Sequence, residues 1–164
     1  MIDFRLRFPA REIPNWAGRY SYPHEDLVEK VVAPAARARG YLTRPEFLTL
    51  CDWKSPRTRP RCATNEASFI RSVTSAALSA KDEHLKIKVL ILLNGVSWPT
   101  ASVILHFCAR QKYPILDFRA LWSLSVRQPS VYGFPLWSAY TTFTRTLATD
   151  SHVTMRTLDR ALWQ

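Results

Sequence analysis

The sequence predicts an all-α fold. Apolar residues recur at helical spacing along most of the chain, and no stretch sustains the apolar/polar alternation of a half-buried strand. Prolines and capping residues also fall where helices would begin. At 164 residues the chain reads as a single all-α domain over 1–164, long enough to bury a core without disulfides or metals.

Residues 1–24 hold Pro9, Pro14 and Pro23 beside Arg5, Arg7 and Arg11, and read as an irregular basic arm. A helix opens at Pro23 with Glu25 and Asp26 in its first turn, and runs towards Gly40 with an interruption at Pro34. Thr43-Arg44-Pro45-Glu46 is a capping box, so Glu46 to Cys51 is expected to be a short helix. Residues 54–63 read as a loop. Thr64 or Asn65 then caps a helix through about Ala80, with Ile70, Val73 and Ala77 on one face.

Asp82 starts the next helix, which ends at Leu92 or Leu93. After a tight turn at Asn94-Gly95, a further helix runs from about Trp98 to Gln111. Its Ala101, Ile104, Leu105 and Cys108 form one apolar face. Tyr113 to Leu116 returns extended to Asp117, the expected N-cap of a helix over 118–126. A loop over 127–134 carries Pro129 and Gly133, and two last helices span roughly 135–148 and 152–163.

With 47% hydrophobic and 22% charged residues, the composition excludes a disordered chain. The unusual quantity is charge: 23 Lys plus Arg against 13 Asp plus Glu gives +10, and 17 of the cations are arginine. Such a balance in a folded domain points to a polyanionic partner, most simply nucleic acid. A membrane surface would ask for a strongly basic amphipathic helix, which the sequence lacks. The apolar stretches near 87–93 and 101–109 are too short to span a bilayer, and the first residues have no apolar core of signal-peptide length. Cys51, Cys62 and Cys108 are odd in number and widely spaced, which suits a reducing compartment. The histidines are scattered, so no metal site or cofactor is expected. The expected location is cytoplasmic, nucleoid-associated in a bacterium, and the expected state a monomer.

The most informative stretch is Leu92 to Leu105. Two apolar helices are joined by a turn that permits only a hairpin, with Gly95 where a positive φ is needed. Val96 is placed to plug the angle between the helices. A turn of this kind aims backbone N–H groups and a helix N-terminus at one point, an arrangement that suits a phosphate. Gly95→Ala is therefore expected to weaken DNA binding much more than folding.

Lys54, Arg57, Arg59 and Arg61 put four cations in eight residues, held extended by Pro56 and Pro60. They read as a phosphate-tracking loop, against the alternative of a solvated basic surface. Trp53, Trp98 and Trp122 are candidates for wedging into a duplex or stacking an extruded base, against the stronger alternative for any single one of a core or interface aromatic. His106 reads as a satisfied, buried histidine. Glu46 and Asp52 could supply a second carboxylate, but nothing in their spacing singles them out.

The segment from 82 to 126 resembles the helix-hairpin-helix DNA glycosylases, a group that includes endonuclease III and the alkylbase and adenine glycosylases. Leu93, Gly95, Val96, Thr100 and Ala101 match the family's hairpin motif position for position, and Asp117 follows Gly95 by 22 residues inside Pro114-Ile-Leu-Asp-Phe-Arg-Ala-Leu121. The resemblance implies two helical halves flanking a cleft, with base-excision repair as the setting. It implies that Asn94, Gly95, Val96, Ser97 and Thr100 grip a phosphate, with a monovalent cation on the turn carbonyls when DNA is bound. It also implies that Asp117 is the catalytic carboxylate of a DNA N-glycosylase, a hydrolase acting on a flipped damaged base. An ionised carboxylate would stabilise cationic character on the sugar and orient a water at C1′.

The departures sharpen that expectation. Ser97 replaces the second hairpin glycine and can still cap the following helix. Pro99 stands where bifunctional members carry a Schiff-base lysine, so a monofunctional enzyme without lyase activity is expected. Asp117 read by itself is an N-cap. A non-catalytic helix-hairpin-helix DNA-binding module is thus the alternative.

Overall fold

The computed structural model describes residues 2–164, and among these the regular elements are helices, with no β-strand. In chain order they are α1 (Ile13–Gly18), α2 (Glu25–Leu27), α3 (Ala33–Arg39), α4 (Arg44–Lys54), α5 (Arg59–Cys62), α6 (Ala67–Ser79) and α7 (Glu83–Leu90). There follow α8 (Trp98–Cys108), α9 (Phe118–Ser123), α10 (Phe134–Asp150) and α11 (Met155–Trp163). No helix among the described residues is long and apolar enough to cross a membrane. The fold divides into two compact units, one over residues 22–111 and one drawn from both ends of the chain, 1–21 with 112–164.

In the 22–111 unit, α8 packs against α3, α4 and α7. Ala101, Ile104, Leu105 and Cys108 are buried as the spacing predicts, but so are Thr100, Ser102, Val103 and Phe107. The helix is thus buried nearly all round rather than along one stripe. The Ser102 hydroxyl is satisfied within the helix, donating to Pro99 O at 2.7 Å.

The interruption expected at Pro34 takes the form of a π-helical turn, Val28–Val32, between α2 and α3. Proline brings no N–H and crowds the carbonyl four residues back, and a widened turn just before it relieves both. The run opens at Glu25 rather than Pro23 and stops at Gly40, whose φ is +84°.

The capping box forms at Thr43 and Glu46, and α4 continues past Cys51 to Lys54. Glu46 accepts the Thr43 N–H at 2.8 Å and takes both terminal nitrogens of Arg39 at 2.8 and 3.0 Å. These bonds hold its carboxyl far below the usual range, at about 2, with the Arg39 bond the largest cause. Glu46 is thereby committed to structure.

On α6, Ile70, Val73 and Ala77 are buried together with Thr74, whose hydroxyl accepts the Leu42 N–H at 3.0 Å. Neither Thr64 nor Asn65 caps this helix. The N-cap position belongs to Glu66, without a side-chain bond. At its other end the almost fully buried Lys86 donates from Nζ to Ala77 O at 3.0 Å, so a cation meets a helix C-terminus. Burial lowers its pKa.

In the other unit, the arm is more ordered than its prolines suggest. Arg5 and Arg7 N–H groups bond Leu124 O and Ser123 O at 2.9 Å each, and α1 packs on α11. Buried Asp159 accepts the Ile115 N–H at 3.1 Å and Tyr140 donates to Ile115 O at 2.9 Å, so the segment before Asp117 is pinned from two helices. The α9 helix stops at Ser123, short of Val126. Val126 N–H bonds Leu121 O and Ser125 N–H bonds Trp122 O, a Schellman closure with Ser125 left-handed at φ 60°. The end of α10 repeats it with His152, φ 54°.

Candidate nucleic-acid interface

The turn between α7 and α8 is built by local bonds. The N–H groups of Ile91, Leu92 and Leu93 each bond a carbonyl three residues back, tightening the end of α7. Gly95 then takes φ +81°, and Val96 N–H returns to Leu93 O at 3.1 Å. Val96 is 7% exposed, in the angle between the helices.

Ser97 occupies the N-cap position, where its carbonyl accepts the Ala101 N–H at 2.8 Å. Its side chain makes no capping bond, contrary to expectation. Extended backbone alone suffices there, and the Ser97 hydroxyl leaves the first-turn N–H groups of α8 uncapped. Thr100 is buried, so any contribution from it to an external anion would come through its backbone.

A second strand of chain clamps this turn. Asn65, 4% exposed, accepts the Asn94 N–H on Oδ1 at 2.8 Å and donates from Nδ2 to Asn94 O at 2.9 Å and Cys62 O at 2.8 Å. The Asn94 side chain donates in turn to Thr64 Oγ1 at 3.1 Å. Gly95 lies so close that a Cβ there would meet Cys62 Sγ at 2.7 Å and Cys62 N at 2.8 Å. The result is a depression of about 410 Å³ lined by Arg61, Thr64 and the turn from Ile91 to Val96.

The basic segment is helical rather than extended. A 3-10 turn spans Pro56–Thr58 and α5 follows directly, each with a proline in its first turn. Proline's fixed φ and missing N–H suit the first turn of a helix, so the same residues that block helix continuation start these two. Of the four cations, Arg61 alone lines the hairpin depression. Arg59 turns towards Asp52, with Nε 3.7 Å from Oδ2. Lys54 ends α4, and Arg57 is exposed.

Trp53 is half-buried, packed edge-on against Tyr22 and Phe107 with ring centroids 5.1 and 5.2 Å apart. Trp98, the first residue of α8, is also half-buried, with Lys88 Nζ 5.9 Å from its ring centroid. Trp122 belongs to the other unit, where it is 59% exposed beneath the Arg7 guanidinium. His106 is half-buried with its ring against Phe107, 4.8 Å between centroids.

Asp117 also belongs to the unit built from residues 1–21 and 112–164. It is the N-cap of α9, accepting the Arg119 N–H on Oδ1 at 2.9 Å, and is half-buried. The Tyr132 hydroxyl has a raised pKa, first from burial and then from the charge of Asp117. Asp117 is therefore a helix cap whose charge is felt by a neighbouring phenol. Among the described residues no three His, Cys, Asp or Glu side chains converge on one point. The three cysteines are free thiols and buried, and burial pushes the Cys108 thiol up to about 12.

Asn65 and Cys62 carry no mark of this role in the sequence. An asparagine before a helix signals a cap, and nothing local says that its amide reaches a turn 29 residues on. No family model matches the chain, and no curated protein or solved structure matches it either.

Proposed function

We propose that this chain binds double-stranded DNA as a monomer through the turn at Asn94 to Ser97, and is a monofunctional DNA N-glycosylase of the helix-hairpin-helix type. The observation that carries the reading is the clamped turn. Gly95 is left-handed, the first turn of α8 has no side-chain cap from Ser97, and Arg61 lines the depression formed with the turn from Ile91 to Val96. Backbone N–H groups, a helix dipole and a guanidinium together suit a phosphate oxygen. The +10 charge would add sequence-independent attraction. Leu93 O and Asn94 O each accept one hydrogen bond and retain a second lone pair, so turn carbonyls are available to a monovalent cation.

In the chemical step Asp117 would stabilise positive charge on the sugar as the base departs, while water attacks C1′. Pro99 has no amine, so no imine would form from that position. The product would be an intact strand with an abasic site, in keeping with base-excision repair.

A specific observation favours the non-catalytic DNA-binding module instead: the Asp117 carboxylate already caps α9. The experiment that separates them is a screen of duplexes bearing alkylated, deaminated or oxidised bases for abasic-site formation. On a cleaved substrate, Asp117→Asn should retain DNA binding and lose ~10²–10³-fold in rate. Cleavage of none of these, or full activity in Asp117→Asn, leaves Asp117 a helix cap. A covalent adduct trapped by borohydride would refute hydrolysis by water.

A further inference from the structure

A cavity of the 22–111 unit shares no lining residue with the hairpin depression. It encloses about 760 Å³, between one face of α4, the start of α2 and the turn at Pro56. That size, with mostly apolar walls and a few polar groups, is characteristic of small-molecule sites. Tyr22, Leu48 and Trp53 supply apolar wall, and Asp52, Arg59 and Arg44 the charge.

The walls are held in advance of any ligand. The Trp53 ring is fixed between Tyr22 and Phe107, and the Tyr22 hydroxyl donates to Trp53 O at 3.1 Å. Arg44 donates to Ala63 O at 2.6 Å and Asn65 O at 3.3 Å, so it is a structural cation. Asp52 and Arg59 are different. They are about half exposed, and at 3.7 Å their contact is longer than a hydrogen bond. The carboxylate keeps acceptor capacity and the guanidinium keeps donors.

We propose that this cavity binds a guanine base carrying a phosphate. A flat ring suits walls bearing two aromatics, where base stacking contributes favourably. The two oxygens of Asp52 match the adjacent N1–H and N2–H donors of guanine, a paired geometry of the kind carboxylates make with guanidinium. Adenine presents an acceptor, N1, at that edge and is repelled. Arg59 takes the phosphate, and Arg44 with Arg59 against Asp52 leaves the lining net positive. The guanine comes either from a free nucleotide or from an unpaired position in a strand, and the second source alone rests on the DNA reading above.

The test is calorimetric titration of the full chain with GMP, AMP and guanosine, then with duplexes carrying one bulged guanine or one bulged adenine. GMP is expected to bind at least tenfold tighter than AMP, or the bulged guanine at least tenfold tighter than the bulged adenine. The arm that discriminates names the source. Asp52→Asn should remove that preference. Arg59→Gln should weaken GMP while leaving guanosine unchanged. Both residues are half exposed, and a thermal melt confirms that each variant is folded. No preference for guanine in either arm overturns the proposal, as does a preference that survives in Asp52→Asn. If that happens while duplex DNA still binds, only the cavity assignment fails. If GMP binds and duplex DNA does not, the cavity assignment stands and the DNA reading fails.

Discussion

Asn65 holds Asn94 by both faces of one side-chain amide: Oδ1 accepts its backbone N–H at 2.8 Å and Nδ2 donates to its backbone carbonyl at 2.9 Å. The side chain thus takes the place of a neighbouring strand for a single residue, and a third bond to Cys62 O at 2.8 Å makes it a bridge. The geometry of the hairpin turn therefore depends on a residue outside the hairpin.

Asn65→Asp tests that bridge. The replaced nitrogen becomes an oxygen facing two carbonyls in a buried site, with a charge where there was none. Loss of two donor bonds and burial of that charge are expected to cost ~2–4 kcal/mol, read from chemical denaturation at neutral pH. A loss below ~0.5 kcal/mol would mean that the amide does not hold the turn.

Gly95→Ala, expected from the sequence to affect binding and spare the fold, should affect both. A side chain at φ +81° costs ~1–2 kcal/mol by itself, and its Cβ would meet the Cys62 backbone N at 2.8 Å. Thermal melting should show a destabilised chain whose hairpin is displaced from the 61–65 segment. An unchanged melting temperature would contradict the close approach.

How much was legible in the sequence follows from which interactions are local. The Thr43–Glu46 capping box, the buried face of α6 and the left-handed Gly95 each arise within a few residues, and the sequence predicts each of them. The sequence misplaces the ends of α9 and α10 by two or three residues because their left-handed caps fall on Ser125 and His152 rather than on glycine. The sequence suggests an extended loop where the 56–62 helices form, because proline is a breaker inside a helix but a good starter. The clamp on the hairpin is long-range, so no periodicity records it.

Glu46 carries a pH dependence whose sign is fixed. Its carboxyl falls from the ordinary 4.5 to about 2 in the fold, chiefly through Arg39, so the unfolded chain binds that proton more readily. The stabilisation is fully present above about pH 4.5 and is lost as pH falls towards 2. Glu46→Gln keeps a side chain that can complete the capping box and removes the charge. It should cost ~1–3 kcal/mol at pH 7, a difference that shrinks towards zero near pH 2. A pH-independent difference between the two proteins would assign the effect to packing instead.

The proposed DNA phosphate site is the clamped turn together with Arg61. Its most direct test is the affinity for an undamaged duplex across salt concentrations, for the natural chain and for Arg61→Gln. Affinity is expected to fall steeply with salt, with a log–log slope shallower by up to ~0.9 in Arg61→Gln and shallower still when Arg57 and Arg59 are neutralised as well. No duplex binding at low salt, or an identical slope in Arg61→Gln, would contradict it.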